Sequence, residues 1–157
     1  MKARHPKKKL EDMNRPCILP FFNETMRHLN FMREEDHMTK AEYKDFQSSD
    51  EIRTFEKGKL EILNIGTGTI GRLTLEPGWR WADHVKPIAK TQWCEAPHFQ
   101  YQLSGRLHIL MEDGTQFESV SGQVSYLPAG HDAWVVGDEA VVLIDWSGAH
   151  DYAKKKD

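Results

Sequence analysis

The chain has 157 residues, of which 39% are hydrophobic, so we expect one domain with its own core and a short appendage. A net charge of −3 at pH 7 gives no support for a nucleic-acid partner. No segment approaches the ~18 consecutive apolar residues of a membrane span, and two cysteines, Cys17 and Cys94, favour a reducing, cytoplasmic setting over a disulfide framework.

Residues 1–50 are expected to form an N-terminal arm that is partly disordered and partly helical. Apolar side chains at helical spacing predict a helix over about residues 22–36: Phe22, Met26, Leu29 and Met32. Residues 39–42 have the form of a capping box and predict a short helix carrying Tyr43 and Phe46. Because so much apolar surface is unfavourable in water, we expect residues 21–46 to pack on their own domain or on a second copy, as in a homodimer.

Residues 51–148 change to the period-two alternation of β-strands. Gly71, Leu73 and Leu75 alternate with polar or bulky neighbours, and Asp113-Gly114 is a strong signal for a tight hairpin turn. Many short strands separated by glycine turns predict an all-β barrel or sandwich. Residues 149–157 are interpreted as a charged C-terminal tail.

Two clusters of glycine, proline and histidine interrupt these strands. In the second, Gly122 is followed after five residues by Pro128 and Gly130, and His131 comes next. Ala133 stands two residues later. Since two residues are one strand repeat, positions 131 and 133 can face the same side of a sheet.

The first cluster offers two different sets of candidate ligands, depending on which glycine the spacing is counted from. Seven residues before Gly105 stands His98, and four residues before His98 stands Cys94. Counting forward from Gly78 reaches His84 instead, and both counts hold only with an insertion between them. We favour the backward count because the strand that ends at Gly105 is clear.

Together the clusters resemble the two motifs of the cupin family, over about residues 52–148. This resemblance implies a jelly-roll barrel (a double-stranded β-helix) whose motif side chains hold a divalent metal in the interior. Residues 130–139 also resemble a subgroup of small single-domain cupins with a PGHDAWVVGDE-type segment.

The resemblance implies that Cys94, His98 and His131 are the metal ligands, with His84 left open as a replacement for Cys94. Imidazole and thiolate suit Zn, Fe, Ni or Cu, whereas Mg and Ca prefer oxygen. Asp132 is expected to orient His131, because metal-bound histidines usually donate their second N–H to an acceptor.

The expected pocket contains four further residues. Gln100 and Gln102 share the strand face of His98, and Tyr101 and Trp134 are placed at the mouth of the barrel. The favoured function is binding of a small molecule, with or without a transition metal. The alternative is a metal-dependent enzyme (oxygenase, isomerase or decarboxylase) acting on a small organic substrate. A third hypothesis is a scaffold whose arm mediates assembly.

Overall fold

The computed structural model describes residues 40–154. All of these except Lys40 belong to one compact unit, which comprises residues 41–157. The predicted helix over residues 22–36, Cys17 and the last two lysines lie outside the described residues. Within residues 40–154, every helix is too short to cross a membrane.

The described residues form nine β-strands and only short helices. A 3₁₀ helix (Phe46–Ser48) precedes the strands, and two single-turn helices, α1 (Trp81–His84) and α2 (Lys86–Ala89), lie between the third and fourth strands. The strands are β1 (Glu51–Phe55), β2 (Gly58–Ile65), β3 (Gly68–Leu75), β4 (His98–Ser104), β5 (Arg106–Met111), β6 (Gln116–Val120), β7 (Val124–Leu127), β8 (His131–Val135) and β9 (Val141–Asp145).

The strands form two antiparallel sheets that share one core. The larger sheet has the order β1-β2-β3-β9-β4-β7, and the smaller has the order β6-β5-β8. This arrangement confirms the predicted all-β, cupin-type jelly roll. Its core is filled by side chains from both sheets, since Leu60, Leu75 and Leu143 of the larger sheet and Ile109 of the smaller are fully buried. Burying each such side chain stabilises the fold by about 1.5–3 kcal/mol.

Period-two alternation explains which side chains enter this core. On β3, Leu73 and Leu75 point inward, whereas Arg72 between them points outward and bonds Glu61 of β2 at 2.8 and 2.9 Å. Between β5 and β6, Gly114 has the positive φ (+87°) that the predicted hairpin turn requires.

The structure differs from the expectation at both ends of the barrel. The predicted short helix is wrong for Tyr43, which lies outside any helix and is 96% exposed. The helical turn begins instead after Asp45, because its carboxylate accepts the backbone N–H groups of Gln47 and Ser48. At the other end, residues 149–152 are not a free tail, since Ala149 and Tyr152 belong to the core.

Candidate metal centre

Cys94, His98 and His131 meet at one end of the barrel interior, between the two sheets. His98 is the first residue of β4 in the larger sheet, and His131 is the first residue of β8 in the smaller. Cys94 precedes β4 and pairs with β8, because its N–H donates to the His131 carbonyl and its carbonyl accepts the Gly130 N–H, both at 2.8 Å. Backbone pairing therefore fixes all three positions.

The three side chains are close enough to share one ion. The Cys94 sulfur lies 3.7 Å from His98 Nε2, and the two imidazole ring centres are 5.3 Å apart. One ligand atom of each residue lies within 4.8 Å of the others, and all three side chains are buried. Within residues 40–154, this is the only such group of histidine, cysteine and carboxylate side chains.

Hydrogen bonds to the far side of each imidazole turn its Nε2 atom toward the group. The Nδ1 atom of His98 lies 2.6 Å from the carboxylate of Asp145, and the Nδ1–H of His131 donates to the Pro128 carbonyl at 2.8 Å. Because a carboxylate and a carbonyl are acceptors here, both Nδ1 atoms carry the proton. The Nε2 atoms are then the ones available as ligands.

Electrostatics favour a thiolate beside a protonated imidazole in this group. Burial raises the pKa of the Cys94 thiol, but contacts with His131 and His98 lower it more, so that the pKa falls to about 6. Burial lowers the pKa of His98, but Asp145 and Cys94 raise it more, to about 9. The thiolate is the form of cysteine that binds metals.

Asp132 does not orient His131, and this expectation is wrong. Residues 131 and 132 are consecutive on β8, so their side chains point to opposite sides of the strand. The Asp132 carboxylate instead accepts hydrogen bonds from the Arg80 guanidinium at 2.8 Å and from the Ala82 N–H at 3.1 Å. The carboxylate that contacts a site histidine is Asp145.

His84 lies outside the group of Cys94, His98 and His131. Its Nδ1 atom lies 3.0 Å from the backbone nitrogen of Arg80, and its Nε2 atom faces Glu56 at 3.9 Å. The residues reached by the backward count from Gly105 are the ones in the group, and α2 lies between His84 and Cys94.

Two cavities adjoin the group. An inner cavity of about 20 Å³ lies in the barrel and is lined by His98 and His131. An outer cavity of about 330 Å³ is lined by Cys94 and by residues on either side of it, together with residues 147, 148 and 151–154. Trp81 and Tyr152 line both cavities.

Of the four residues predicted to line a pocket, only Gln100 lines one of these two cavities. Tyr101 points away from the interior because it alternates with Gln100 along β4. Gln102 faces inward, but its amide is engaged by the Ser104 and Gly105 carbonyls and by the Ser119 hydroxyl.

Trp134, the fourth of these residues, packs on the outer side of β8. Its ring stacks on His108, with ring centres 4.1 Å apart, and the Arg80 guanidinium lies 5.0 Å from its centre. Trp134 therefore lines neither of these two cavities, and ligand binding by the four residues stays a prediction.

Asp145, Gly148 and Tyr152 surround His98 and were not predicted from the sequence. The Tyr152 ring packs edge-on against His98 with ring centres 5.4 Å apart. A methyl group at Gly148 would collide with the His98 ring, so only glycine fits this close approach. One signal for Asp145 was available in the sequence, because this aspartate ends the apolar run of β9. A carboxylate that is buried with such a strand, as Asp145 is, needs a partner.

Comparison with known proteins supports the fold and nothing finer. No family model matches the chain, and no curated protein does. A Rhizobium leguminosarum protein of unknown function is similar in structure, with 19% identity and a TM-score of 0.51 over 71% of this chain and 100% of that protein. Oxalate decarboxylase from Bacillus subtilis matches with 24% identity and a TM-score of 0.46 over 66% of this chain. This chain spans only 28% of the length of that decarboxylase.

Proposed function

We propose that this protein binds one transition-metal ion through Cys94, His98 and His131. The observation that supports this proposal is the convergence of a thiolate-forming cysteine and two imidazoles inside a buried site. An ion with Zn–S and Zn–N bonds of about 2.3 and 2.0–2.1 Å in tetrahedral geometry separates its S and N ligands by about 3.6 Å. The 3.7 Å between Cys94 Sγ and His98 Nε2 fits that value, and the 4.8 Å limit on the whole group is about an ångström larger.

The choice of metal follows from the donors. Two imidazoles and a thiolate suit Zn, Fe, Ni or Cu, and they provide no oxygen ligand for Mg or Ca. Three protein ligands also leave one position of a tetrahedral ion for an exogenous ligand.

The outer cavity supports the binding of a small molecule next to the metal. Its volume of about 330 Å³ lies at the lower end of the range for small-molecule sites. Cys94 contributes to its wall and is also a proposed ligand, so a molecule held there would lie beside the metal centre.

Metal uptake tests the proposal. Protein stripped with a chelator is offered Zn, Fe, Ni and Cu in turn, and metal content is measured after gel filtration. We expect one ion per wild-type chain and a large loss of uptake in His98→Ala. The matched control is His150→Ala, because His150 is an exposed histidine outside the group. Absence of uptake for all four metals would contradict the proposal.

Catalysis is the second candidate function. The observation that favours it is the open metal position next to a cavity that can hold an organic molecule. A bound metal would supply Lewis-acid or redox chemistry, while Asp145 holds His98 and the surrounding apolar side chains limit access of water. A turnover screen with the metal-loaded protein, using oxygenase, isomerase and decarboxylase substrates, separates this candidate from simple binding.

A further inference from the structure

The Arg53 guanidinium ties strand β1 to the segment of residues 147–152. Three carbonyl oxygens of that segment accept its N–H groups, those of Ala149, His150 and Tyr152, at 3.1, 3.0 and 2.5 Å. Two more N–H groups donate to the Glu51 carboxylate at 2.7 and 3.1 Å. Because a guanidinium has five N–H donors in a rigid planar fork, Arg53 matches these five acceptors, whereas a lysine ammonium would not.

The same segment covers one of the proposed metal ligands. The Tyr152 ring packs edge-on against His98 and also against Phe55 of β1, with ring centres 5.4 and 6.1 Å apart. Gly148 touches the His98 ring so closely that an added methyl carbon would lie 2.4 Å from Nδ1. Since Arg53 and Phe55 share one face of β1 by period two, that strand holds the segment at two points.

The segment also lies between the outer cavity and the two imidazoles. It forms one side of the outer cavity. Tyr152 and Trp81 line both cavities. The inner cavity, in turn, is the one that His98 and His131 line. The way from the outer cavity to the two imidazoles therefore runs past the Tyr152 side chain.

The two ends of the segment are held by different residues. At its beginning, the Asp145 carboxylate accepts the N–H groups of Ser147 and Gly148 at 3.0 and 3.2 Å. Beyond that point its carbonyls bond Arg53, which belongs to another strand. The later residues can therefore move away from β1 while Asp145 keeps its bonds to the first two and to His98.

We propose that residues 149–152 act as a lid over the metal site and that Arg53 is the positioning residue that holds this lid closed. The inference rests on the proposed metal site, because the lid controls exchange at that site. When the lid is closed, Tyr152 lies between the outer cavity and His98. When the lid moves away from β1, the His98 imidazole becomes accessible from the outer cavity. The bonds of Arg53 set the fraction of molecules in which the lid is open.

Arg53→Gln removes the fork, and Arg72→Gln is the matched control. Arg72 also lies on the larger sheet and also bonds a glutamate, Glu61, but it is not bonded to the lid. Both changes are made in Cys17→Ser protein, in which Cys94 is the only cysteine. Alkylation of Cys94 by iodoacetamide is followed by mass spectrometry on metal-free protein, and zinc release into excess chromogenic chelator is followed on zinc-loaded protein.

The two rates and the zinc affinity together distinguish a lid from a mere support of the ligands. Loss of a hydrogen bond from a charged donor typically changes an equilibrium about tenfold or more. We therefore expect Arg53→Gln to speed both alkylation and zinc release at least about tenfold, and Arg72→Gln to change neither. The zinc affinity should stay within about threefold, because a lid that opens more often speeds entry and exit alike.

Glu51→Gln is a milder second variant, for the case in which Arg53→Gln folds poorly. The Glu51 side chain is 50% exposed and directs the Arg53 fork without touching the lid, so the fold should tolerate the change. We expect alkylation and zinc release to rise in the same direction by about two- to fivefold, as for loss of an exposed ion pair.

The outcomes separate this inference from the metal proposal. Unchanged alkylation and zinc release in folded Arg53→Gln protein overturn the lid. Faster zinc release with an equal loss of zinc affinity and unchanged alkylation also overturns it, because Arg53 would then only support the ligand geometry. Conversely, a protein that takes up no metal but whose Cys94 is alkylated faster in Arg53→Gln would refute the metal site and leave the lid standing.

Discussion

Asp145→Asn should weaken metal binding without unfolding the barrel. In the wild type, one carboxylate oxygen lies 2.6 Å from His98 Nδ1, and the other accepts the N–H groups of Ser147 and Gly148 at 3.0 and 3.2 Å. In the variant, the amide oxygen can keep the two backbone N–H groups, which leaves the amide NH₂ facing His98. Two donors would then face each other unless the imidazole moves its proton to Nε2, the proposed ligand atom.

The size of the effect follows from this tautomer conflict. Loss of an outer partner of a metal-bound histidine typically lowers metal affinity about 10–100-fold, which corresponds to about 1.4–2.8 kcal/mol of binding free energy. We expect the loss of metal affinity in Asp145→Asn to lie in that range, because Asp145 is fully buried and water cannot replace its carboxylate.

Competition with a chromogenic chelator for zinc measures the change, and thermal unfolding of the metal-free proteins controls for folding. Asp138→Asn is the matched control, since Asp138 is exposed, lies between β8 and β9 and lines neither cavity beside the group. A zinc affinity of Asp145→Asn within twofold of the wild type, with both proteins folded, would refute the assigned role of Asp145.

His98→Ala should lose metal while keeping the strand signal in circular dichroism, because the fold depends on apolar burial; loss of the strand signal would contradict this. Gly148→Ala should displace the His98 ring and lower zinc affinity, whereas unchanged affinity would mean that the loop yields freely. At pH 7 His98, with its pKa raised to about 9, is protonated, and Cys94, with its pKa lowered to about 6, is ionised. Metal binding should then release about one proton, and the metal affinity should rise about tenfold per pH unit between about pH 7 and 8. Calorimetry in buffers of different ionisation enthalpy measures the proton release, and a metal affinity that does not change with pH would contradict this prediction. We also expect a homodimer, since Phe99 and Tyr126 form adjacent exposed aromatics on β4 and β7; light scattering that shows only monomer at every concentration would exclude it.

The strands could be predicted from the sequence because their signal is local. Alternation and glycine turns depend on neighbouring residues, so β1 to β9 and the turn at Gly114 follow from short segments. The grouping of Cys94, His98 and His131 could also be anticipated, because the motif spacing counts residues along the strands that carry them. That they hold a metal stays a prediction.

The partners of these residues could not be predicted, because they come from distant parts of the chain. Asp145 reaches His98 only through the pairing of β4 with β9, and Arg80 reaches Asp132 through contacts with β8. The residues next to Asp145 and Arg80 in the sequence do not determine which strands pair or in which register. The error at Asp132 had a local remedy, since period two already excludes two consecutive residues from one face.

X-ray absorption at the zinc edge tests the central claim most directly. The sample is zinc-loaded Cys17→Ser protein, in which Cys94 is the only cysteine. We predict one zinc per chain with one sulfur at about 2.3 Å and two imidazole nitrogens at about 2.0–2.1 Å. A bound zinc without sulfur, or protein that takes up no zinc, would contradict the account.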